Sequence, residues 1–226
     1  MSPTDDKLDK AAARTQAQRD RILKAAQQSF IRHGFHAAGM AGIAEAADMS
    51  PGLIYRYFDS KNAIILAIIE RQLAEKNANI DSLHSEPDWE QRICDLFAGW
   101  QRGDDSLMNA ALFLEMSAHA TRDPSIAQAL SAADQDARAR FLAVLAQHAH
   151  AQGANPDPAD LRARALVLQS FIEGLAIRAV REPDFDAAQV VATVRQLVPG
   201  LLDFGSNRAP VTMVFTGRVR SGSGAF

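Results

Sequence analysis

The sequence predicts an all-α protein in which a small N-terminal head precedes a larger helical body. Three observations favour this fold class. Apolar residues recur three or four positions apart, glycine and proline separate the segments that carry them, and no strand pattern occurs in residues 1–205. A chain of 226 residues can form one small and one medium domain. We place these domains at residues 1–62 and 63–205, followed by a flexible or loosely docked extension at 206–226.

The first helix of the head is predicted over residues 21–33. Ile22, Ala26 and Phe30 lie four positions apart and form one apolar stripe. Gly34 follows, and glycine readily takes the positive φ that often ends a helix.

Two short helices come next, over residues 40–47 and 51–58. Met40, Ile43 and Ala44 set the apolar face of the first. Ser50 is a favourable N-cap for the second, and Pro51 suits its first turn, where no amide donor is needed. Two short helices joined by a tight link and braced by a longer helix form a helix-turn-helix.

The faces of the third helix follow from a rotation of about 100° per residue. Ile54 and Phe58 share the buried side, while Gly52 and Arg56 point outward with a tyrosine on either side. Such a helix fits a DNA major groove about 12 Å wide. An ordinary helical hairpin with surface tyrosines is the alternative that the spacing alone leaves open.

Residues 14–65 also carry a specific set of side chains at fixed spacing: Arg21, Ile22, Leu23, Ala25, Ala26, Phe30, Gly34, Ile43, Ala44, Ala47, Ser50, Pro51, Gly52, Ile54, Tyr55, Tyr57, Phe58, Ser60 and Lys61. This set resembles the DNA-binding signature of the TetR family of bacterial repressors. The resemblance implies an all-helical homodimer whose heads each bind half of a double-stranded DNA operator. It also implies a C-terminal domain that binds a small ligand and then releases the DNA.

The same resemblance implies which side chains contact DNA. Phosphate contacts fall on Tyr55, Tyr57 and Lys61, and base contacts on Pro51, Gly52 and Arg56. The predicted DNA site, with the helix cap included, is therefore Ser50, Pro51, Gly52, Tyr55, Arg56, Tyr57 and Lys61.

The second helix departs from the family pattern. Ala38 and Gly39 stand where family members usually carry Thr or Ser, and positions 41 and 42, often polar, are Ala and Gly. This helix offers little base readout. Specificity is therefore expected to rest on Arg56 and the adjoining backbone, with His36 as a further candidate.

Charge is divided unevenly along the chain. The net charge is −3, yet residues 1–61 carry nine basic and seven acidic side chains, which leaves −5 for the rest. The sign fits a DNA-facing head on an acidic body. Arg14, Arg19, Arg21 and Lys24 lie where they would follow phosphates, although a solvated helix face explains each of them equally well.

The body is predicted as helices over residues 61–80, 89–102, 107–121, 124–151, 158–181 and 185–204. Pro199 and Gly200 indicate a kink or an early end in the last of them. Its last two helices carry small and apolar residues in register: Leu166, Ser170, Gly174 and Ile177, then Val190, Val194 and Leu197. With the resemblance, this pattern predicts a dimer interface of four helices, and burial within one subunit is the alternative.

A ligand pocket is predicted among the middle helices, because aromatic and methionine side chains recur there at helical spacing. The candidates, including three polar groups that would orient a ligand, are Phe97, Trp100, Met108, Leu112, Glu115, Met116, His119, Phe141, Phe171 and Glu173. The expected ligand is mainly apolar or aromatic. Plain core packing explains the apolar members as well.

Other functional classes find little support in the sequence. No Ser-His-Asp set, phosphate-binding glycine loop or metal-ligand spacing is recognisable, so we predict no catalytic activity, metal or cofactor. The single Cys94 forms no internal disulfide. The longest apolar run, residues 63–69, is far shorter than the roughly 20 residues that span a membrane, and a signal peptide is not recognisable. We therefore expect a cytoplasmic protein with no membrane partner.

The predicted function is a DNA-binding repressor that responds to a small molecule. A DNA-binding dimer that responds to no ligand is one alternative, and a helix-turn-helix module that binds protein is another.

Overall fold

A computed structural model of the chain describes residues 3–83, 88–104 and 107–205. Every regular element in these ranges is an α-helix, which confirms the predicted fold class. The elements are α1 (Pro3–Ala37), α2 (Met40–Ala46), α3 (Pro51–Ile54), α4 (Lys61–Ser82), α5 (Trp89–Arg102), α6 (Ala110–Ala120), α7 (Pro124–Ala151), α8 (Pro158–Arg181) and α9 (Ala187–Leu202). No helix in the described ranges is long and apolar enough to cross a membrane. The extension predicted at 206–226 lies outside them.

Helix α1 is much longer than its apolar stripe. It begins at Pro3, because the segment before Arg21 is rich in Ala, Gln, Lys and Arg, which form helix well without an apolar face. Near its other end, Gly34 interrupts the helix with φ 73° and ψ 163°. Only glycine adopts that backbone region readily, so Gly34 sets the direction of the chain that follows.

The turn between α2 and α3 is fixed by a long-range contact. Asp48 has a positive φ of 52°, and the Arg21 guanidinium donates to both its carboxylate, at 2.9 Å, and its carbonyl, at 3.2 Å. An arginine of α1 therefore secures the tight link of the helix-turn-helix.

Helix α3 is shorter than predicted. Its α-helical part ends at Ile54, and the amides of Arg56 and Tyr57 then bond to carbonyls only three residues back. Such bonds tighten the last turn of a helix. Ile54 and Phe58 are nonetheless buried, as predicted.

Helix α4 carries the chain from the head into the body and shares its core with both. One apolar cluster joins α1, α2 and α3 to α4, α6 and α7 through residues such as Ile68, Leu112 and Ile126. A second cluster lies among α5, α7, α8 and α9. Helix α9 runs on past Pro199 to Leu202, so the proline does not end it.

Candidate functional site

Helix α3 and its following turn present an open surface to solvent. Pro51, Gly52 and Arg56 are exposed, and Tyr55 keeps 51% of its surface accessible. No atom lies within 4 Å of the position that a Cβ on Gly52 would take. Tyr57 is only partly exposed and packs against the core of the head. The surface thus combines bare backbone, a guanidinium and a phenol hydroxyl, which are suitable partners for phosphate and base edges.

Ser50 has a structural role at this surface. Its Oγ accepts a hydrogen bond from the amide of Leu53 at 3.3 Å, which caps α3. The hydroxyl proton is still available, because the oxygen serves the cap only as an acceptor.

Lys61 is placed differently from what the resemblance implies. Its Nζ donates to the carbonyl of Phe35 at 2.6 Å and reaches the carbonyl of His36 at 3.5 Å. A cation beside the last carbonyls of a helix is stabilising. The ammonium therefore fastens the end of α1 to the start of α4, and its contact with phosphate stays a prediction.

Arg19 is also engaged within the head. Its guanidinium donates to the carbonyl of Tyr57 at 2.9 Å and lies 4.3 Å from the ring centre of Phe58. Arg19, like Arg21, thus braces the helix-turn-helix, which favours a structural role for both over phosphate tracking.

Helix α2 offers few side chains to a partner. Its N-cap, Gly39, makes no side-chain cap, and Ala38 is buried. The exposed positions are Ala41, Gly42, Glu45 and Ala46. In the sequence of this helix Glu45 is the one charged residue, so any base readout by α2 depends on a carboxylate.

A narrow cavity of about 50 Å³ lies in the body. Eight of its twelve lining residues are apolar. The lining consists of Lys76, Asn79, Ile80, Leu83, Leu96, Trp100, Leu107, Met108, Phe141, Gln169, Ile172 and Glu173. Four of the predicted pocket residues are among them: Trp100, Met108, Phe141 and Glu173.

The other predicted pocket residues lie elsewhere. Phe97 is buried in the second cluster, and Phe171 faces a surface groove beside Gly174. Leu112 and Met116 are buried in the cluster shared with the head. These two positions miss the cavity because α6 packs this apolar face toward α1 and α7.

Glu115 and His119 contact the head instead of a ligand pocket. The Glu115 Oε2 accepts a hydrogen bond from the amide of Phe35 at 3.3 Å. The His119 ring lies edge-on to the Phe35 ring, with 5.4 Å between centres. Glu115 and His119 of α6 therefore hold the bend that Gly34 creates.

The polar end of the cavity contains residues that the sequence analysis missed. Lys76 of α4 bonds to Glu173 of α8 at 2.7 Å, and Gln169 lies one helical turn before Glu173. A signal was present, since Gln169 interrupts an apolar stretch four positions before a glutamate. Spacing of four puts the two on one helix face.

The outer face of α8 exposes large apolar side chains. Leu166 and Val167 are 50% and 42% exposed, and a Cβ on Gly174 would meet no atom within 4 Å. Val190 and Val194, which were predicted for the dimer interface, are buried within their own subunit. The exposed part of the stripe is thus carried mainly by α8.

Sequence comparison extends these observations to known proteins. Residues 22–68 match the model of bacterial regulatory proteins of the tetR family, and residues 90–203 match that of the C-terminal region of BetI-type transcriptional repressors. The HTH-type transcriptional regulator UidR of Escherichia coli K12 is 34% identical over 127 residues, or 54% of this chain and 62% of UidR. The HTH-type transcriptional activator FasR of Mycolicibacterium smegmatis is 34% identical over 76 residues, which cover 33% of this chain and 35% of FasR.

Solved structures share the fold. GusR of Salmonella enterica superposes with a TM-score of 0.64 and 28% identity, over 82% of this chain and 95% of GusR. A TetR-family regulator from Mesorhizobium loti superposes with a TM-score of 0.68 over 84% of this chain and 96% of its own, and its 19% identity bears on the fold alone.

Proposed function

Since this chain belongs to the TetR family of bacterial transcriptional regulators, we propose that it is a repressor that releases its operator DNA when a small, mainly apolar molecule enters the cavity of the body. The observation that carries the proposal is the course of α6, which runs from the cavity to the head. The match of residues 90–203 to a repressor C-terminal region supports repression.

DNA recognition is assigned to the exposed end of α3. Arg56 can donate two hydrogen bonds to a guanine edge, while Tyr55 reaches phosphate. Gly52 permits close approach of the backbone, because no other group lies within 4 Å of where its Cβ would be. The small side chains of α2 leave most of the base discrimination to Arg56.

A homodimer would place two such heads on one duplex. The exposed apolar side chains of α8 support this assembly, because exposed apolar surface can mark a protein–protein interface. Gly174 lies in the middle of the stripe, where a second α8 can approach closely. Substitution of Gly174 by Trp should give monomers in analytical ultracentrifugation, while Ala132→Trp on the exposed side of α7 should remain dimeric.

Coupling between the cavity and the head is assigned to α6. At its start, the carbonyl of Met108, a cavity residue, accepts a hydrogen bond from the Trp100 indole at 3.0 Å. In the middle of the helix, Glu115 accepts a hydrogen bond from the amide of Phe35. The part of α6 from its first residue to Glu115 corresponds to about 8 Å of rigid connection. A ligand that displaces Met108 would move the end of α1 and with it the spacing of the paired heads.

The DNA-binding part of the proposal is tested by selecting bound duplexes from a random pool. The expected product is a palindromic site with half-sites one helical turn, or a multiple, apart. Loss of selection in the wild-type protein, with a folded dimer shown by circular dichroism and ultracentrifugation, would contradict it.

The ligand response is tested separately on the selected duplex. A panel of small apolar molecules is screened for a rise in melting temperature, and each positive compound is then tested for release of DNA in a gel shift. By thermodynamic reciprocity, a compound that releases DNA must bind less tightly to the DNA complex by the same factor. If stabilising compounds leave DNA affinity unchanged, the chain is the ligand-independent DNA-binding dimer.

A further inference from the structure

The cavity ends in a small group of polar side chains whose hydrogen bonds are incompletely satisfied. Lys76 comes from α4, and Gln169 and Glu173 come from one face of α8. The remainder of the lining is mostly hydrocarbon and aromatic surface. A ligand that fills the cavity would therefore touch apolar groups along its length and polar groups at one end.

Gln169 provides the clearest sign of a missing partner. The residue is only 4% exposed, its Nε2 donates to the Glu173 Oε1 at 3.1 Å, and its Oε1 accepts no hydrogen bond. The amide cannot be turned around, because that would set its oxygen against a carboxylate. A buried acceptor without a donor costs free energy, and Gln169 lines the cavity, so a ligand bound there can supply the donor.

Two carboxylates lie at the same end. The Lys76 ammonium lies 2.7 Å from Glu173 and 3.6 Å from Asp134, so these two carboxylates share it. Burial raises the pKa of Asp134; the positive charges of Lys76 and Arg138 oppose that rise, and the negative charge of Glu173 adds to it. The Asn79 Oδ1 accepts a hydrogen bond from the Arg92 guanidinium at 2.7 Å. An added anion would face Glu173 and Asp134, whereas an added cation would balance them.

We propose that the cavity takes a slim hydrophobic amine whose protonated head donates to the Gln169 Oε1 and to Glu173 while its hydrocarbon part lies against Trp100 and Phe141. This proposal rests on the proposed function, because it specifies the chemistry of the same effector site. The ammonium supplies the donor that Gln169 lacks, and with Lys76 it matches the charge of Glu173 and Asp134. The polar end of the cavity determines the chemical class of the ligand, and the apolar walls determine only how wide the ligand can be.

Three probes of equal chain length test this assignment: hexylamine, 1-hexanol and hexanoate at pH 7. Binding to the full chain is measured by tryptophan fluorescence, to which Trp100 in the cavity wall contributes, and by the shift in melting temperature. Hexylamine should bind at least tenfold more tightly than hexanoate, with hexanol between them. The neutral alcohol retains one donor for Gln169 but gains nothing from the negative charge.

Two variants assign the preference to the named residues. Gln169→Leu should weaken both hexylamine and hexanol, the amine by about tenfold or more, which is typical for the loss of one charge-assisted hydrogen bond. Glu173→Gln should weaken hexylamine selectively and leave hexanol nearly unchanged. Gln135→Leu makes the same chemical change on the exposed side of α7 and should alter neither. If Gln169→Leu fails to fold by circular dichroism, the Glu173→Gln result decides.

Contrary results are equally distinct. Preferential binding of hexanoate, absence of binding by all three probes, or unchanged amine affinity in both cavity variants would overturn the amine assignment. DNA release is recorded in parallel on the selected duplex. Amine binding without DNA release would support the ligand class and contradict the proposed repressor mechanism. DNA release by hexanoate would support the repressor mechanism and contradict the ligand class.

Discussion

Lys61 has two candidate roles, one in the stability of the fold and one in DNA binding. The family resemblance implies that its ammonium contacts phosphate, but the structure places that ammonium on the carbonyls that end α1. We predict that Lys61→Met lowers the stability of the fold and leaves the number of phosphate contacts unchanged. The methionine keeps most of the aliphatic length and removes only the charge and its donors.

The size of the effect follows from the contacts. The hydrogen bond from Nζ to the Phe35 carbonyl is short, at 2.6 Å, while the contact to His36 is at the limit, at 3.5 Å. One hydrogen bond from a charged donor contributes about 1.5–3 kcal/mol, and partial exposure of Lys61 favours the lower end. A loss of about 1.5 kcal/mol corresponds to a melting temperature lower by about 3–6 °C in a chain of this size.

The measurement combines urea unfolding with DNA titration at several salt concentrations. Lys24→Met is the matched control. Lys24 is exposed on α1, and its substitution removes the same charge without removing a hydrogen bond of the fold. The control should unfold like the wild type. A lost phosphate contact would lower the slope of log affinity against log salt by about 0.9. If Lys61→Met unfolds like the wild type and shows that lower slope, the structural assignment is wrong.

Further predictions concern the bend, an acidic cap and the recognition surface. Gly34→Ala should lower the free energy of unfolding in urea by about 1–3 kcal/mol, because a φ of 73° and ψ of 163° disfavour any side chain. The control Gly42→Ala, at an exposed position of α2, should raise it by about 0.5–1 kcal/mol. Equal effects of the two substitutions would refute the strain argument. Hydrogen bonds from the Ser125 hydroxyl and the Ile126 amide lower the pKa of Asp123 from its ordinary 3.8, so its contribution to stability is present above that pH and is lost as the pH falls through the lowered value. Asp123→Asn should therefore flatten the loss of stability with acid, and an unchanged acid-unfolding profile would count against this role. Arg56→Ala should reduce discrimination between bases at one position by about 1–3 kcal/mol. Tyr55→Phe should lower the affinity for all DNA sequences evenly. Competition gel shifts measure both, and the reverse pattern would exchange the roles of the two residues.

Local sequence signals predicted the features that depend on neighbouring residues. The cap at Ser50, the positive φ at Gly34 and the burial of Ile54 with Phe58 all follow from residue type and helical period. The poor polarity of α2 followed in the same way from its composition. These features need no knowledge of what packs against them.

Features that depend on tertiary packing could not be predicted from the sequence alone. The face of α6 that carries Leu112 and Glu115 was assigned to a pocket, but α1 packs against it. Helical period shows that such residues share a face and cannot show which element covers that face. Lys61 illustrates the same limit, because its carbonyl partners lie 25 and 26 residues away in the chain.

Hydroxyl-radical footprinting of a duplex selected from the random pool tests most directly whether this chain regulates transcription as a dimer with two DNA-binding heads. We expect two protected half-sites on one face of the duplex, with centres about one helical turn or a multiple of it apart. Protection of both half-sites should be lost in Gly174→Trp. Protection of a single half-site that persists in that variant, or no protection at all, would contradict it.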